Sequence, residues 1–373
     1  MHLDRIDRPI PTEHGVVSAF PGDFYGYFGW PTLARMDDGM LIAAASGLRN
    51  AHVCPFGRNV VCFSHDEGRT WTAPRVVNDS PLDDRDTGAL SLGGGKLLLS
   101  WFTTDNRRQL DGLDDAVARS WAPGVAGVTD AVAAAWVGAW TCSSDDAGQT
   151  WNKPVKAPLT TPHGPIRLSS GDLLFFGKEF LVDMEGFRGG QGAIGAAKSP
   201  DGGTTWERLG KVPLYPGSPE GAYHEPHVAE LPGGRLLGLI RLSGAQEELG
   251  RLGLTNFSLL QTVSDDGGHT WTPAEPLGFH GSPPHLLVHS SGALVCVYGS
   301  RLKPYGQRLM VSQDGGDSWT YDYILRADGP DSDLGYPSTV ELGDGSLLSL
   351  YYQKPDSVRD KCALLWTRWA LPA

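Results

Sequence analysis

Long apolar runs are scarce in this sequence, and no stretch approaches the length of a transmembrane helix. The first ten residues carry charges throughout and lack the apolar region typical of a secretory signal. The five cysteines are an odd number at wide, irregular spacings, so they match neither a disulfide framework nor a CxxC metal motif. We therefore expect a cytoplasmic protein with free thiols and no membrane association.

Basic residues are in the minority. The chain has 31 Lys and Arg against 43 Asp and Glu, a formal net charge of -12. Because nucleic-acid binding depends on clustered basic residues, we expect no nucleic-acid partner. A local pocket can still oppose the global sign, so an anionic small substrate is compatible with this composition.

Glycine, proline and tryptophan, in contrast, are abundant, with 49, 27 and 12 copies. An eight-residue motif, Ser-x-Asp-x-Gly-x-Thr/Ser-Trp, occurs five times, starting at Ser64, Ser144, Ser199, Ser264 and Ser312. In such a motif Asp accepts backbone hydrogen bonds, Gly supplies a positive φ and Trp buries a large apolar face. The motif therefore predicts a repeated hairpin turn, whose chemistry explains the acidic residues without a metal.

A second repeat lies out of phase with the first and has the pattern Pro-x4-Leu-x2-Gly-x-Leu-Leu followed by an apolar stretch. Each of its six copies predicts a β-hairpin. The turn glycines are 53 to 76 residues apart and are Gly39, Gly95, Gly171, Gly234, Gly292 and Gly345. Six such hairpins, each usually followed by one that carries the first motif, predict an all-β, six-bladed β-propeller as a single domain over residues 1–373.

The last blade and the second blade depart from this regular plan. The last blade lacks the first motif, and residues 360–371 supply only one further strand. We therefore predict that an N-terminal strand at about residues 13–20 closes that blade. Residues 105–130 are the largest insertion and fall within blade two, where we expect a surface loop or short helix that could serve as a lid.

Polar residues concentrate where the inner strands of a propeller form one mouth of the central channel. Those that precede the hairpins are Asp84, Arg85, Asp86, His163, His224, Glu225, His227, His285 and Tyr336. Those that follow the hairpins are Arg49, His52, Lys178, Glu179, Arg241, Arg301 and Gln353. Because unpaired buried charges are costly, a convergence of ionisable groups from five blades predicts a functional site.

Over essentially its whole length the chain resembles the sialidase superfamily of Asp-box, or BNR-repeat, propellers. In sialidases a Glu heads a middle blade and an Arg ends the same hairpin, as Glu225 and Arg241 do in HEPHVAELPGGRLLGLIR. The segment GYPSTVELGDGS resembles the one that carries the sialidase tyrosine, at Tyr336. Arg301 and Arg49 resemble substrate-binding arginines of these enzymes.

This resemblance implies an exo-acting glycoside hydrolase that removes a terminal, acidic sugar from a glycan. Sialidases use a tyrosine nucleophile activated by a glutamate, so Tyr336 and Glu225 would form that pair. Bidentate arginines suit the carboxylate of such a sugar.

Two features depart from the sialidase pattern. Gly29 stands where the family has the first arginine of a Phe-Arg-Ile-Pro segment, and residues 50–63 lack the expected acid/base aspartate. His52 is a candidate proton donor because imidazole titrates near neutrality. Asp84 or Asp86, from the next blade, could also reach the mouth. A sugar other than sialic acid is therefore compatible with the sequence.

The remaining candidates are assigned to substrate binding, with Asp86 and His52 kept as catalytic candidates beside Tyr336 and Glu225. The binding set is Arg49, Asp84, Arg85, His163, His224, Arg241, His285 and Arg301. The histidines suggest a metal, but His224 and His227 flank Pro226, and strand alternation does not obviously aim both at one ion. We expect no metal and no cofactor.

Two other functions stay open besides the sialidase-like hydrolase. The extra histidines and the missing aspartate suit a propeller glycosidase or polysaccharide lyase that uses His and Arg on uronic-acid or rhamnose glycans. The lost arginine suits a non-catalytic sugar-binding propeller. In all three cases the partner is a carbohydrate, whereas its identity and linkage and the oligomeric state are not predicted.

Overall fold

A computed structural model describes residues 1–107, 115–180 and 192–372. Within these residues the strands form six sheets arranged as the blades of a propeller. Blade one contains β3 (Tyr27–Arg35), β4 (Leu41–Arg49), β5 (Arg58–Ser64) and β6 (Arg75–Asn78). Blade two contains β7 (Asp83–Gly93), β8 (Lys96–Thr104), β9 (Gly138–Ser144) and β10 (Val155–Ala157). Blade three contains β11 (Leu159–Thr160), β12 (Ile166–Arg167), β13 (Leu173–Glu179), β14 (Ile194–Ser199) and β15 (Glu207–Lys211).

The second half of the ring follows the same plan. Blade four contains β16 (Tyr223–Glu230), β17 (Leu236–Leu242), β18 (Ser258–Ser264) and β19 (Glu275–His280). Blade five contains β20 (Pro284–Val288), β21 (Leu294–Ser300), β22 (Gly306–Ser312) and β23 (Ser318–Arg326). Blade six contains β24 (Gly335–Glu341), β25 (Leu347–Gln353) and β26 (Ala363–Trp369). The predicted fold class, a mainly β six-bladed propeller, is confirmed.

The N-terminal segment joins two blades. The strand β2 (Thr12–Ser18) pairs antiparallel with β26 and supplies the fourth strand of blade six. The preceding strand β1 (His2–Pro9) pairs in parallel with β23, on the outer edge of blade five. The sequence analysis did not foresee β1, because its charged residues lack the apolar alternation of a buried strand.

The helices lie in the connections between strands. The insertion in blade two separates β8 from β9 and includes α1 (Asp115–Ala126) and α2 (Asp130–Trp136), while its residues 108–114 lie outside the described part of the chain. A third helix, α3 (Gln246–Arg251), follows β17, and a 3₁₀ turn (Glu220–Ala222) precedes β16. Among the described residues, no helix has the length and apolar character needed to span a membrane.

The repeated Asp motif forms turns in which the polar side chains are already occupied. In the first copy, the backbone N–H of Gly68 donates to Ser64 Oγ at 2.8 Å, and the hydroxyl of Thr70 donates to Asp66 at 2.6 Å. These bonds from Thr70 lower the pKa of Asp66 to about 2. Trp71 donates its indole N–H to the Gly68 carbonyl at 3.0 Å. The motif therefore stabilises hairpins, and most acceptor positions of its carboxylate are taken up within the turn.

Candidate functional site

A cavity of about 460 Å³ opens at the mouth formed by the leading ends of the inner strands. Its lining residues come from blades one, two, four, five and six and from the loops between them. They are Trp30, His52, Arg85, Asp86, Phe102, Thr104, Glu225, Arg241, Phe257, Arg301, Ser332, Asp333, Tyr336 and Tyr352. We call this space the reaction cavity.

Four inner strands present a side chain to the reaction cavity through the same local backbone irregularity. Trp30, Asp86, Glu225 and Tyr336 have φ values of 52°, 53°, 44° and 51°. The pairing register of each strand shifts at this residue, as in a β-bulge. A positive φ in a non-glycine residue costs about 1–3 kcal/mol and is found mostly at functional sites. A bulge at the start of each of these four hairpins thus brings the four side chains together.

Tyr336, Glu225 and Arg241 form a connected group in the reaction cavity. The Tyr336 hydroxyl donates to Glu225 Oε1 at 2.5 Å, and Arg241 Nη1 donates to Glu225 Oε2 at 2.5 Å. Arg241 Nη1 also lies 3.1 Å from the Tyr336 hydroxyl. The structure therefore brings the three residues into one hydrogen-bonded cluster.

The electrostatics of this cluster favour a neutral phenol beside an ionised carboxylate. Burial and the adjacent Glu225 carboxylate raise the pKa of Tyr336. Burial alone would raise the pKa of Glu225, but the charge of Arg241 and the hydrogen bond from Tyr336 hold it below its ordinary value. Glu225 is thus an ionised acceptor in contact with the phenolic proton, the arrangement that a general base requires.

Asp86 is the acidic residue of the cavity that holds a proton near neutral pH. Burial and the nearby Glu225 carboxylate raise the pKa of Asp86 to about 7, although Arg85 opposes this shift. A carboxyl group that titrates near the working pH suits a general acid.

His52 also lines the reaction cavity, and two neighbours fix its ring. Its Nδ1 lies 3.0 Å from Asp333 Oδ1 and 3.1 Å from the Tyr27 hydroxyl. Burial lowers the pKa of His52, and the hydrogen bond to Asp333 opposes that effect.

Three arginines face the cavity. Arg241 and Arg301 lie 4.9 and 5.7 Å from the centroid of the Phe257 ring, and Arg85 lies 4.0 Å from that of Trp30. Arg301 donates to the Leu334 carbonyl at 2.9 Å. With Gly29 in place of the first family arginine, Arg85 adds a third cation to the cavity from the neighbouring blade.

The structure does not bring Arg49 into the cavity. Its guanidinium is fully buried and forms an ion pair with Asp83, with one contact of 3.0 Å between Nη2 and Oδ2. Nη1 also donates to Ser46 Oγ at 2.9 Å, and the group lies 4.8 Å from the Trp30 ring centroid. Arg49 therefore supports Trp30 from behind and has no open face for a substrate.

Asp84 also points away from the cavity. Its carboxyl group accepts hydrogen bonds from the Ser80 backbone at 2.8 Å, the Ser80 hydroxyl at 2.9 Å and the Thr103 hydroxyl at 2.6 Å. Burial raises its pKa to about 7. Asp84 holds the loop before β7 in place, which corrects its assignment to substrate binding.

His163 and His285 lie in a different place from the one expected. With His227 they line a second cavity of about 420 Å³, which reaches the trailing ends of the inner strands and hence the other end of the channel. The rings of His227 and His285 are stacked, with centroids 4.4 Å apart, and the ring of His163 is 4.9 Å from that of His285. These histidines therefore do not belong to the reaction cavity.

The hydrogen bonds of this histidine cluster disfavour a metal. The Leu286 backbone N–H donates to Nδ1 of His227 at 3.0 Å, and the Thr339 N–H donates to Nδ1 of His285 at 3.4 Å. The neutral rings of His227 and His285 then carry their protons on Nε2, which leaves these two rings no free lone pair for a metal ion. In the described part of the chain, no group of three or more His, Cys, Asp or Glu residues is arranged to hold a metal.

His224 lines a third, smaller cavity of about 120 Å³ that adjoins the reaction cavity and shares Asp86, Phe102 and Glu225 with it. Lys178 and Phe180, at the end of β13, complete its wall. His224 is thus placed next to Glu225, as expected, but on the side remote from Tyr336.

Sequence reasoning did not select Asp333, Phe257 and Tyr352. Asp333 lies three residues before Tyr336, so the rule that ligand groups precede an inner hairpin could have found it. Phe257 has a positive φ of 53° in the loop before β18, which no sequence pattern signals. Tyr352 lies in the apolar run of β25 and has the pattern of a core residue.

Comparison with known proteins agrees with this architecture. A model of the BNR repeat-like domain matches residues 121–348, and the chain belongs to this family. No curated protein matches the sequence.

Solved structures show the same fold. A protein of unknown function from Dyadobacter fermentans has 21% identity and a TM-score of 0.74, with 96% of this chain and 98% of that chain covered. The NanB sialidase of Streptococcus pneumoniae has 13% identity and a TM-score of 0.65, with coverage of 97% and 71%. Trypanosoma rangeli sialidase has 17% identity and a TM-score of 0.59, with coverage of 92% and 55%, so this chain spans about half of that protein.

Proposed function

We propose that the protein is an exo-acting glycoside hydrolase that removes a terminal acidic sugar from a glycan. The observation that carries this proposal is the contact between Tyr336 and Glu225, which Arg241 completes in an open cavity. If Tyr336 served only for packing, it would not need hydrogen bonds to a buried carboxylate and an arginine, nor a positive φ at its own backbone. The likeness to solved sialidases supports the fold on which such a site would operate.

The first half-reaction follows from the positions of three side chains. As the Tyr336 oxygen attacks the anomeric carbon, Glu225 accepts the phenolic proton. Protonated Asp86 gives its proton to the glycosidic oxygen, and the bond between that oxygen and the anomeric carbon breaks. The products are a covalent sugar–tyrosine intermediate and a free alcohol.

The second half-reaction uses the same groups in the opposite sense. Ionised Asp86 takes a proton from water while the water oxygen attacks the anomeric carbon. The bond to Tyr336 breaks, and Glu225 returns a proton to the phenolate. Each group ends in its starting state, and the sugar leaves with retained configuration.

The dimensions and charges of the cavity support an acidic monosaccharide as the proposed substrate class. A volume of about 460 Å³ accommodates roughly fifteen water-sized groups, which is suitable for one monosaccharide. Arg85, Arg241 and Arg301 contribute three positive charges to its wall against the ionised Glu225 and Asp333, and bidentate guanidinium groups favour carboxylates. A single acidic sugar unit therefore fits this cavity better than a neutral chain.

The test is hydrolysis of a panel of aryl glycosides of sialic acid, other keto-acid sugars, uronic acids, rhamnose and neutral hexoses. We expect release of the aryl alcohol from acidic members, with loss of turnover in Tyr336→Phe. Tyr25→Phe is a matched control, because Tyr25 is exposed and outside the cavity. Formation of an unsaturated product that absorbs in the near ultraviolet would show a lyase instead. Sugar binding without turnover would show a binding protein.

A further inference from the structure

The small cavity beside Glu225 has a chemistry of its own, and we call it the Lys178 pocket. Phe102, Phe180 and Pro162 form its apolar walls, and Lys178 and His224 form its polar end. Its volume of about 120 Å³ holds roughly four water-sized groups, enough for one substituent of a sugar but not for a ring.

The ammonium group of Lys178 has hydrogen-bond donors in this pocket that the described residues do not use. The residue is only 4% exposed, and its Nζ lies 3.4 Å from Nδ1 of His224. Nε2 of His224 lies 3.1 Å from the Ser243 carbonyl, which can only accept, so Nε2 carries the proton and Nδ1 accepts from Lys178. Among the described residues, Lys178 has no other hydrogen-bond partner, so two of its three N–H groups remain for a ligand.

The cost of burying this cation makes a ligand of negative charge the best partner. Burial lowers the pKa of Lys178 to about 8, although the charges of Glu225 and Glu220 act against the shift. The lysine is therefore mostly charged at neutral pH. Neither carboxylate lies within ion-pair distance of Nζ, so the ammonium lacks a direct counter-ion in the described chain. A buried charge without one is unfavourable, and an acidic ligand group relieves that cost.

We infer that the Lys178 pocket binds an acidic substituent carried by the sugar at a ring position remote from the reacting carbon, as in a uronic acid. The inference rests on the proposed function and specifies its substrate class. Tyr336 lines the reaction cavity but not the Lys178 pocket, whereas Glu225 lines both. A sugar whose anomeric carbon faces Tyr336 can therefore place a substituent of another ring atom in the Lys178 pocket, past Glu225.

The two acids at the boundary are compatible with such a group. Glu225 is already paired with Arg241 and accepts from Tyr336, which offsets its charge. A substrate carboxylate beside Asp86 raises the pKa of Asp86 further, because like charges disfavour a second ionisation. The acidic substituent thereby keeps Asp86 protonated, which is the state needed to protonate the leaving group.

The experiment compares matched aryl glycosides that differ only in a carboxylate or a hydroxymethyl group at the remote ring carbon. In the wild type we expect a preference of about 10- to 100-fold in kcat/KM for the acid, the range of one charge-assisted hydrogen bond. Lys178→Met lowers this preference by about tenfold, mainly through KM, Lys178→Arg keeps more of it, and the exposed control Lys96→Met keeps all of it. A melting curve of each variant identifies any loss of folding.

A second measurement separates this inference from the proposed function. Calorimetry of the free uronic acid and its matched neutral sugar with Tyr336→Phe measures binding without turnover. If the acid binds more tightly than the neutral sugar, this difference depends on Lys178, and the wild type hydrolyses neither, then the Lys178 pocket is supported and the hydrolase proposal is contradicted. If the acid and its neutral partner are hydrolysed and bound equally well, the assignment of the Lys178 pocket is contradicted, whereas the hydrolase proposal is retained. Preference for a neutral acylated sugar, or absence of binding to every matched pair, also overturns the pocket.

Discussion

The cavity at one end of the channel is lined by three arginines and three acids, whereas the cavity at the other end is lined by three neutral histidines together with Arg35, Asp37 and Glu341. The same inner strands serve both ends, so the difference lies in their local backbone. Five non-glycine residues with positive φ line the reaction cavity, and none of the described residues that line the histidine cavity has a positive φ outside glycine. Among the described lining residues, backbone strain outside glycine is therefore found at one end only.

Because of this difference we expect catalysis in the reaction cavity and none in the histidine cavity. Burial lowers the pKa of His227 to about 3 and lowers the pKa values of His163 and His285 as well, so the cluster is neutral at physiological pH. A neutral, mutually packed set of rings fills the channel at little electrostatic cost. The reaction cavity instead keeps Arg85, Asp86, Glu225, Arg241 and Arg301 around an open space, so we expect substitutions there to affect activity more than substitutions among the histidines.

The largest expected effect is that of Glu225→Gln. The amide cannot accept the phenolic proton as a base, so we expect kcat/KM to fall by about 10³-fold, within the range of general-base removal. His285→Gln, at the other end of the channel, should change kcat/KM by less than about twofold. His285 lies outside the reaction cavity, so its loss removes no contact with the transition state. Similar losses in both variants, measured by steady-state kinetics, would contradict the assignment of chemistry to one end.

Asp86→Asn is expected to lower kcat/KM by about 10²-fold on substrates with poor leaving groups, because the amide gives no proton. The loss should be much smaller for an activated aryl leaving group. Because the pKa of Asp86 is raised to about 7 and its protonated form is required, wild-type kcat/KM should fall as the pH rises above about 7. The variant should lose this alkaline limb. Persistence of the limb in Asp86→Asn would assign it to another group.

Arg301→Gln and Arg49→Gln separate a cavity arginine from a buried one. Loss of Arg301 should lower kcat/KM for an acidic substrate by about tenfold, with little change in melting temperature. Loss of Arg49 removes the buried cation beside Asp83, which among the described residues keeps only Arg85 at 3.4 Å and the Asn106 amide at 2.6 Å, and should reduce the free energy of unfolding by up to about 3–5 kcal/mol. Denaturant titration beside kinetics checks both, and a stable, substrate-impaired Arg49→Gln would return Arg49 to the substrate-binding set.

The smallest effect on activity is expected for His227→Gln, but its stability should depend on pH. The folded-state pKa of His227 lies at about 3, below the unfolded value of about 6.5, so the folded state resists protonation. This contribution to stability is present above about pH 6.5 and falls by about 1.4 kcal/mol per pH unit below it. In His227→Gln the decline between pH 6.5 and 4.5 should be shallower, as measured by urea unfolding. An unchanged slope would show that His227 titrates normally.

Much of the fold was predictable because its signals are local. The Asp motif and the proline-led repeat each specify a hairpin within about fifteen residues, and repetition sets the number of blades. Tyr336, Glu225 and Arg241 were predictable for the same reason, since each lies at a fixed place in the second repeat. The position of Arg49 was not, because its partner Asp83 belongs to the next blade and lies 34 residues away.

The histidines mark the other limit of sequence reasoning. Alternation along a strand indicates which face a residue occupies, but not its depth in the channel. The bulge at Glu225 also interrupts the register, so that His224 and His227 on the same strand line different cavities. Likewise, only the assembled ring shows that Lys178 of blade three meets His224 of blade four.

The two N-terminal strands affect the order in which the ring can form. β1 and β2 are synthesised before their partners, yet β23 and β26 leave the ribosome only after more than 300 further residues. Until then both strands have unpaired edges, which are templates for association with other chains. Contacts of such long sequence separation form slowly, so closure of blade six is the step at which a nascent chain would be exposed longest. The same segment that completes the propeller thus makes closure of the ring dependent on β26, which lies more than 300 residues further along the chain.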